Sequence, residues 1–228
     1  MRGRRLPFVP YIPGLEEHSP RGRYIGDAAT TAIGANLPDY LQPFFSFARL
    51  YGTRRGQLAR TQRRFVDLAR EVIEWPAAEC KADTAHVVPL EGDGLALIKR
   101  AMDDARTWCP YLFHGPDCRP GHAPSKRYGC IGDFKKAWAA ACKAAGLPVG
   151  RKAGGYVFHH CRNSAATDLA AAGLTIEDVM AVGGWKTAAV ARRYNLGNLD
   201  ALRARIVTSR KRLAKVVPLR RRHAGAPA

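Results

Sequence analysis

Extended-chain patterning occurs at one place in this sequence. The runs EVIEWP (71–76) and AHVVPL (85–90) are rich in β-branched residues and flank the turn-forming stretch AAECKADT, which predicts a short β-hairpin. Elsewhere apolar residues recur at helical spacing. Helices are expected over 37–51, where Pro43 is tolerated near the start, and over 91–106, 131–145, 159–172, 175–182 and 199–216. The loop 109–128 is long and turn-rich, and there is no internal repeat. Such a chain is expected to be mainly α with a small antiparallel β-sheet or hairpin. Residues 1–35, rich in Pro, Gly and Arg, predict an extended basic arm; residues 36–209 predict the domain, and 210–228 a basic tail, partly disordered.

Charge narrows the partner. Lys and Arg number 37 against 19 Asp and Glu, a formal charge of +18, so a polyanion is the expected partner. No stretch approaches the roughly 20 apolar residues of a spanning helix. The opening MRGRRLPFVPYIPG is too short in its apolar run, and too interrupted by proline, for a signal peptide. A cytoplasmic protein is expected. The six cysteines contain no CxxC pair, and a chain of 228 residues buries a core without staples, so reduced thiols are expected. CPYLFHGPDCRPGH brings Cys109, His114, Cys118 and His122 into one short stretch, all zinc-ligand types. Their spacing matches no standard finger, and neither metal nor cofactor is expected.

Several chemistries lack their residues. The acidic side chains are scattered, without the converging carboxylates of a two-metal nuclease. GTRRGQL lacks the second half and the Lys-Ser/Thr of a Walker A loop, and there is no nucleophile elbow. What remains is a set of cations and one tyrosine. YGTRRGQL (51–58) sets Arg54 at the mouth of a helix beginning near Arg55, after a glycine turn that lets backbone approach a phosphate. HHCR sets His159 and Arg162 at i and i+3, on one helix face. GGWKTAAVARRY puts Trp185 nine positions before Tyr194, and Lys81 falls between the hairpin strands.

In order and spacing these segments resemble the catalytic domain of the tyrosine recombinases, the phage-integrase family of site-specific DNA recombinases, from about residue 37 to 205. Arg54 and the following FVDL (65–68) match the first-arginine box, His159 and Arg162 the H-x-x-R box, AAG and Gly184-Trp185 the segment after it, Tyr194 the nucleophile, and Lys81 the hairpin lysine. Each box alone is weak; five in the right order are not. The resemblance implies double-stranded DNA at a specific site, and other recombinase protomers, as partners. It also implies a 3′-phosphotyrosine intermediate and a C-terminal helix exchanged between protomers.

Three departures stand out. Gln57 occupies the position of an acidic residue; its amide accepts a hydrogen bond but adds no charge, so reduced activity is an expectation. Asn163 stands where a histidine is usual and reads as a packing substitution. Only about 36 residues precede the pattern, where the family carries a core-binding domain, so the chain is read either as a fragment or as bearing a relic arm.

The chemistry follows from the residue types. Two guanidiniums fork onto the nonbridging oxygens of a phosphodiester, where charge gathers in the transition state. The phenol of Tyr194 exchanges one phosphate ester for another of similar energy, without ATP. Lys81 protonates the departing 5′-oxygen, His159 donates a hydrogen bond or accepts a proton, and Trp185 contributes its indole N–H and packing. Alternative readings stay open: Tyr194 as a core aromatic, Lys81 as an ordinary hairpin lysine, Arg54 and Arg162 as surface arginines, although an unpartnered guanidinium on the apolar helix of Arg162 would be costly, and His160 as a satisfied structural histidine. For the chain, a DNA-binding remnant without productive catalysis, an RNA-binding basic protein and a type IB topoisomerase are the alternatives.

Overall fold

In this computed structural model the described residues are 23–81, 83–104, 106–121, 123–125, 129–150, 154–194 and 207, with the side chains of 193 and 194 left aside. The first helix, α1 (Asp27–Asn36), leads through a 3-10 turn to α2 (Gln42–Tyr51) and the short α3 (Arg55–Ala59). Three strands follow, β1 (Val66–Asp67), β2 (Val72–Trp75) and β3 (His86–Pro89), and then α4 (Gly92–Asp103), α5 (Lys135–Ala144), α6 (His160–Ala171), α7 (Ile176–Gly183) and α8 (Ala188–Tyr194). This is the mainly α architecture with a small antiparallel sheet that the patterning implies. None of the described helices is long and apolar enough to cross a membrane.

The core is organised around α2. Pro43 falls in its first turn, where a missing N–H costs nothing, and Phe44, Phe45, Phe47 and Ala48 are all buried. Phe44 is the hub: its ring meets Phe113 and Phe134 edge-on at 5.5 and 5.4 Å and stacks on Phe158 at 5.3 Å. α2 packs against α6, α4, α1 and α3. A second, smaller cluster of Ala166, Val179, Trp185 and Ala191 joins α6, α7 and α8. Because α6 belongs to both clusters, residues in its first turns sit where the two meet.

The strands pair in the order β1-β2-β3, all antiparallel, with Ile73 opposite Val88 and Trp75 opposite His86. Alternation turns Ile73, Trp75, His86 and Val88 to the buried face. The hairpin expectation therefore holds, extended by a two-residue β1 inside FVDL that is too short to show a period of its own.

The extended arm over 1–35 is corrected for its last nine residues, which lie in α1. DAATTAIGAN carries one large buried side chain, Ile33, so its apolar periodicity is faint. Tertiary contacts hold the segment instead. Arg49 donates to the carbonyl of Ile25 through Nε (3.1 Å) and Nη2 (2.8 Å) and pairs with Asp168 on α6, while Tyr24 donates to the same carboxylate at 2.7 Å. The Ile25 N–H is taken by Ser164 Oγ at 2.7 Å. Residues 1–22, the tail 210–228 and, apart from Val207, the helix expected over 199–216 lie outside the described residues.

Candidate active site

Two helix ends shape the site. α2 stops at Gly52 in the left-handed region (φ 64°), and the chain re-enters helix at α3 with Arg54 as its first flanking residue. α7 begins with a capping box between Thr175 and Asp178 and stops at Gly184, also left-handed (φ 67°), with the Trp185 N–H bonded back to Met180. A Cβ at Gly184 would meet the His86 ring at 3.0 Å, so the position needs glycine for space as well as conformation.

These turns hold the two arginines. Arg162, only 3% exposed, donates from Nη1 to the carbonyls of Gly52 and Gly183, each at 2.5 Å. Arg54 donates from Nη1 to the next carbonyl, Gly184, at 2.8 Å. The guanidinium carbon of Arg162 lies 3.8 Å from the centroid of the Trp185 ring, a close cation–π contact. Carbonyl dipoles and an indole face orient a guanidinium without neutralising it. Among the described residues no carboxylate pairs with Arg54. Arg54 borders an open cleft, whereas Arg162 is buried and is not among its lining residues.

His86, which the sequence reading passed over, braces the same turn. Its ring stacks on its cross-strand neighbour Trp75 at 5.2 Å. Nε2 faces the carbonyls of Ala181 (2.8 Å) and Val182 (3.1 Å), which can only accept, so Nε2 carries the proton and donates. Nδ1 then accepts from the amide of Gln57 at 2.8 Å. Burial, aided by the charges of Arg162 and Arg54, holds the His86 pKa below its usual value. A neutral imidazole needs a donor at Nδ1, which Gln57 supplies and a carboxylate would not. The signal for His86 was the strand alternation itself, which places it beside Val88 on the inner face.

Arg54, Gln57, Cys80, His86, Trp185 and Lys186 line one cleft of about 590 Å³. Lys81 is exposed on the β2–β3 loop, next to Cys80 and three residues before Thr84, which also borders the cleft. His159 occupies the N-cap position of α6 without a side-chain capping bond, is exposed, and lines a separate cleft of about 450 Å³ with Arg55 and Tyr156. Tyr194 is the last residue of α8, which packs on α6 and α7. The structure thus joins Arg162 to Trp185 by direct contact and Arg54 to the same turn through its carbonyl, while Lys81 is exposed and is not among the residues lining the cleft. It does not bring His159 into the same cleft, and it describes only the backbone of Tyr194. His160 is buried and its Nδ1 accepts the Val157 N–H at 3.3 Å, a structural role. Asn163 is buried as well, with no hydrogen-bond partner for Oδ1 among the described residues. All six cysteines are free thiols.

Residues 27–199, well over half of the chain, match the phage integrase family. The integrase of Salmonella phage P22 is 26% identical over 194 residues, covering 83% of this chain and 47% of that protein, so the chain spans about half the length of this relative. XerA recombinase superposes with a TM-score of 0.61 at 18% identity, over 82% of this chain and 65% of the other. A lambda integrase dimer bound to a COC′ core site gives 0.56 at 16% identity, over 75% and 47%. The chain belongs to the phage integrase family and has the fold of a tyrosine recombinase catalytic domain.

Proposed function

We propose that the chain acts as the catalytic part of a site-specific DNA recombinase, cleaving and rejoining strands through Tyr194. The observation that carries this reading is the pair of guanidiniums of Arg54 and Arg162, fixed on consecutive carbonyls of one turn beside an open cleft. Two arginines so held suit the two nonbridging oxygens of a single phosphate.

In the proposed cleavage step the Tyr194 Oη–phosphorus bond forms and the bond from phosphorus to the 5′-oxygen breaks. The phenolic proton passes to solvent, because His159 lies in a separate cleft, and Lys81 gives a proton to the departing 5′-oxygen. Arg54 and Arg162 stabilise the charge that builds on the phosphoryl oxygens, and Trp185 holds the Arg162 plane in place. A 3′-phosphotyrosine results, and attack by a 5′-hydroxyl reverses the step, so bond energy is conserved without a cofactor. Double-stranded DNA carrying a recombination site, bound by more than one protomer, is the proposed substrate; the charge of +18 supports phosphate-backbone contact.

The test uses nicked duplexes drawn from the DNA flanking the coding sequence, which trap the cleaved state by losing the short 5′-hydroxyl fragment. A covalent protein–DNA adduct on denaturing gels is the expected result. Tight binding without any adduct would leave a DNA-binding protein and defeat the proposal.

A further inference from the structure

The segment between α4 and α5, residues 104–134, is long for a connection, and its described residues carry little regular structure. Its two ends are anchored on the body of the protein: a bridge joins Gln62 to Tyr111, the Arg63 N–H bonds Pro110 O and the Leu112 N–H bonds Thr61 O, each at 2.8 Å, and Leu112, Phe113, Ile131 and Phe134 belong to the main core. Beyond these it builds a small core of its own. Cys109, Cys118 and Cys130 are buried together, apart from the main cluster, with Tyr111 packed against them.

The geometry of this cluster is that of a ligand set. The three sulfurs lie within 4.8 Å of one another, with Cys109–Cys130 at 3.3 Å and Cys118–Cys109 at 3.6 Å. Thiolates about 2.3 Å from a tetrahedral ion stand about 3.8 Å apart, close to this spacing. His114 stands at the edge of this group, its Nδ1 3.2 Å from Cys118 Sγ, and a turn of its side chain would bring the nitrogen onto an ion held by the three sulfurs. The backbone is folded to converge on the site: Gly115 N–H bonds Cys130 O at 2.8 Å, Cys118 N–H bonds Gly115 O at 3.1 Å, and Arg106 donates to the Cys118 carbonyl. Simple apolar packing accounts for buried cysteines one by one. It does not by itself account for three sulfurs from separate turns meeting in a cluster apart from the main core, with an imidazole nitrogen against one of them.

We propose that Cys109, His114, Cys118 and Cys130 form a structural zinc site that braces the α4–α5 connection. Three thiolates and an imidazole suit zinc, and four protein ligands close the coordination sphere, so the role is folding and not catalysis. The set differs from the one read in the sequence: Cys130, twelve residues past Cys118, replaces His122, which lies outside the described residues.

The full chain, expressed with zinc and purified without chelator, is assayed by mass spectrometry for bound metal. About one zinc per chain is expected for a closed structural site. Cys118→Ser and Cys130→Ser should fall to background, whereas Cys142→Ala, which removes a buried thiol of α5, should keep its zinc. His114→Ala should weaken zinc affinity by about tenfold or more. Should the serine variants fail to fold, cobalt loading of the native chain decides. Thiolate-to-cobalt charge transfer and tetrahedral ligand-field bands saturating at one equivalent support the site. Only traces of zinc, no cobalt bands, or a disulfide between Cys109 and Cys130 in fresh protein would overturn it. Unchanged affinity in His114→Ala would overturn the four-ligand set.

Discussion

Arg54 and Arg162 donate to the carbonyls of adjacent residues, Gly184 and Gly183, so that one peptide unit at the end of α7 sets the distance between the two cations. Arg162 is fixed further by Gly52 and by the Trp185 ring. A lysine cannot reproduce the fork or the stacking plane. Arg162→Lys is therefore expected to cut adduct formation by about 10²- to 10³-fold while leaving DNA affinity little changed. Single-turnover cleavage beside fluorescence anisotropy measures both; equal losses in each would mean that Arg162 serves binding alone.

Tyr194→Phe removes the proposed nucleophile. All covalent adduct is expected to disappear, with DNA affinity retained. An adduct that survives, mapped by peptide mass spectrometry, would identify another residue as the nucleophile.

The pH dependence of stability should carry the signature of His86. Burial first, then the Arg162 and Arg54 charges, hold its folded pKa below the usual value near 6.5. As pH falls through 6.5 the unfolded chain takes up a proton that the folded chain refuses, so the folded state loses stability until the folded pKa is reached. His86→Gln should flatten the fall measured by urea unfolding between about pH 7.5 and 5.5, the range bracketing an unperturbed histidine. Gln57→Glu should raise the His86 pKa, readable by NMR, because a carboxylate favours a proton on Nδ1.

Asp168 anchors the segment before α1 through Arg49 and Tyr24. Asp168→Ala leaves the mostly buried Arg49 guanidinium without its carboxylate and is expected to cost about 1–3 kcal/mol. Thermal unfolding measures the loss, and a change confined to the noise would show the anchor to be dispensable.

Much of this was written locally. The helical run of LPDYLQPFFSFARLY and the strand pair EVIEWP and AHVVPL carry their periods within a few residues, so α2, β2 and β3 were legible. Arg54, Arg162 and Trp185 were legible as residue types at fixed spacing. α1 was not, because an Ala/Thr-rich helix with one large buried side chain owes its existence to Arg49, Ser164 and α5. Nor was the link from His86 to Gln57, a hydrogen bond spanning 29 positions that only the sheet register creates. The thiol cluster was half legible, since Cys130 reaches Cys109 by a turn that no short motif encodes.

The acceptors that hold the two guanidiniums are main-chain oxygens, and no exchange of a single side chain can delete a peptide carbonyl. Mutational damage to these acceptors must therefore come through backbone shape. A residue bearing Cβ at position 52 or 184 would reach it indirectly, bending the frame while leaving every polar side chain of the site intact.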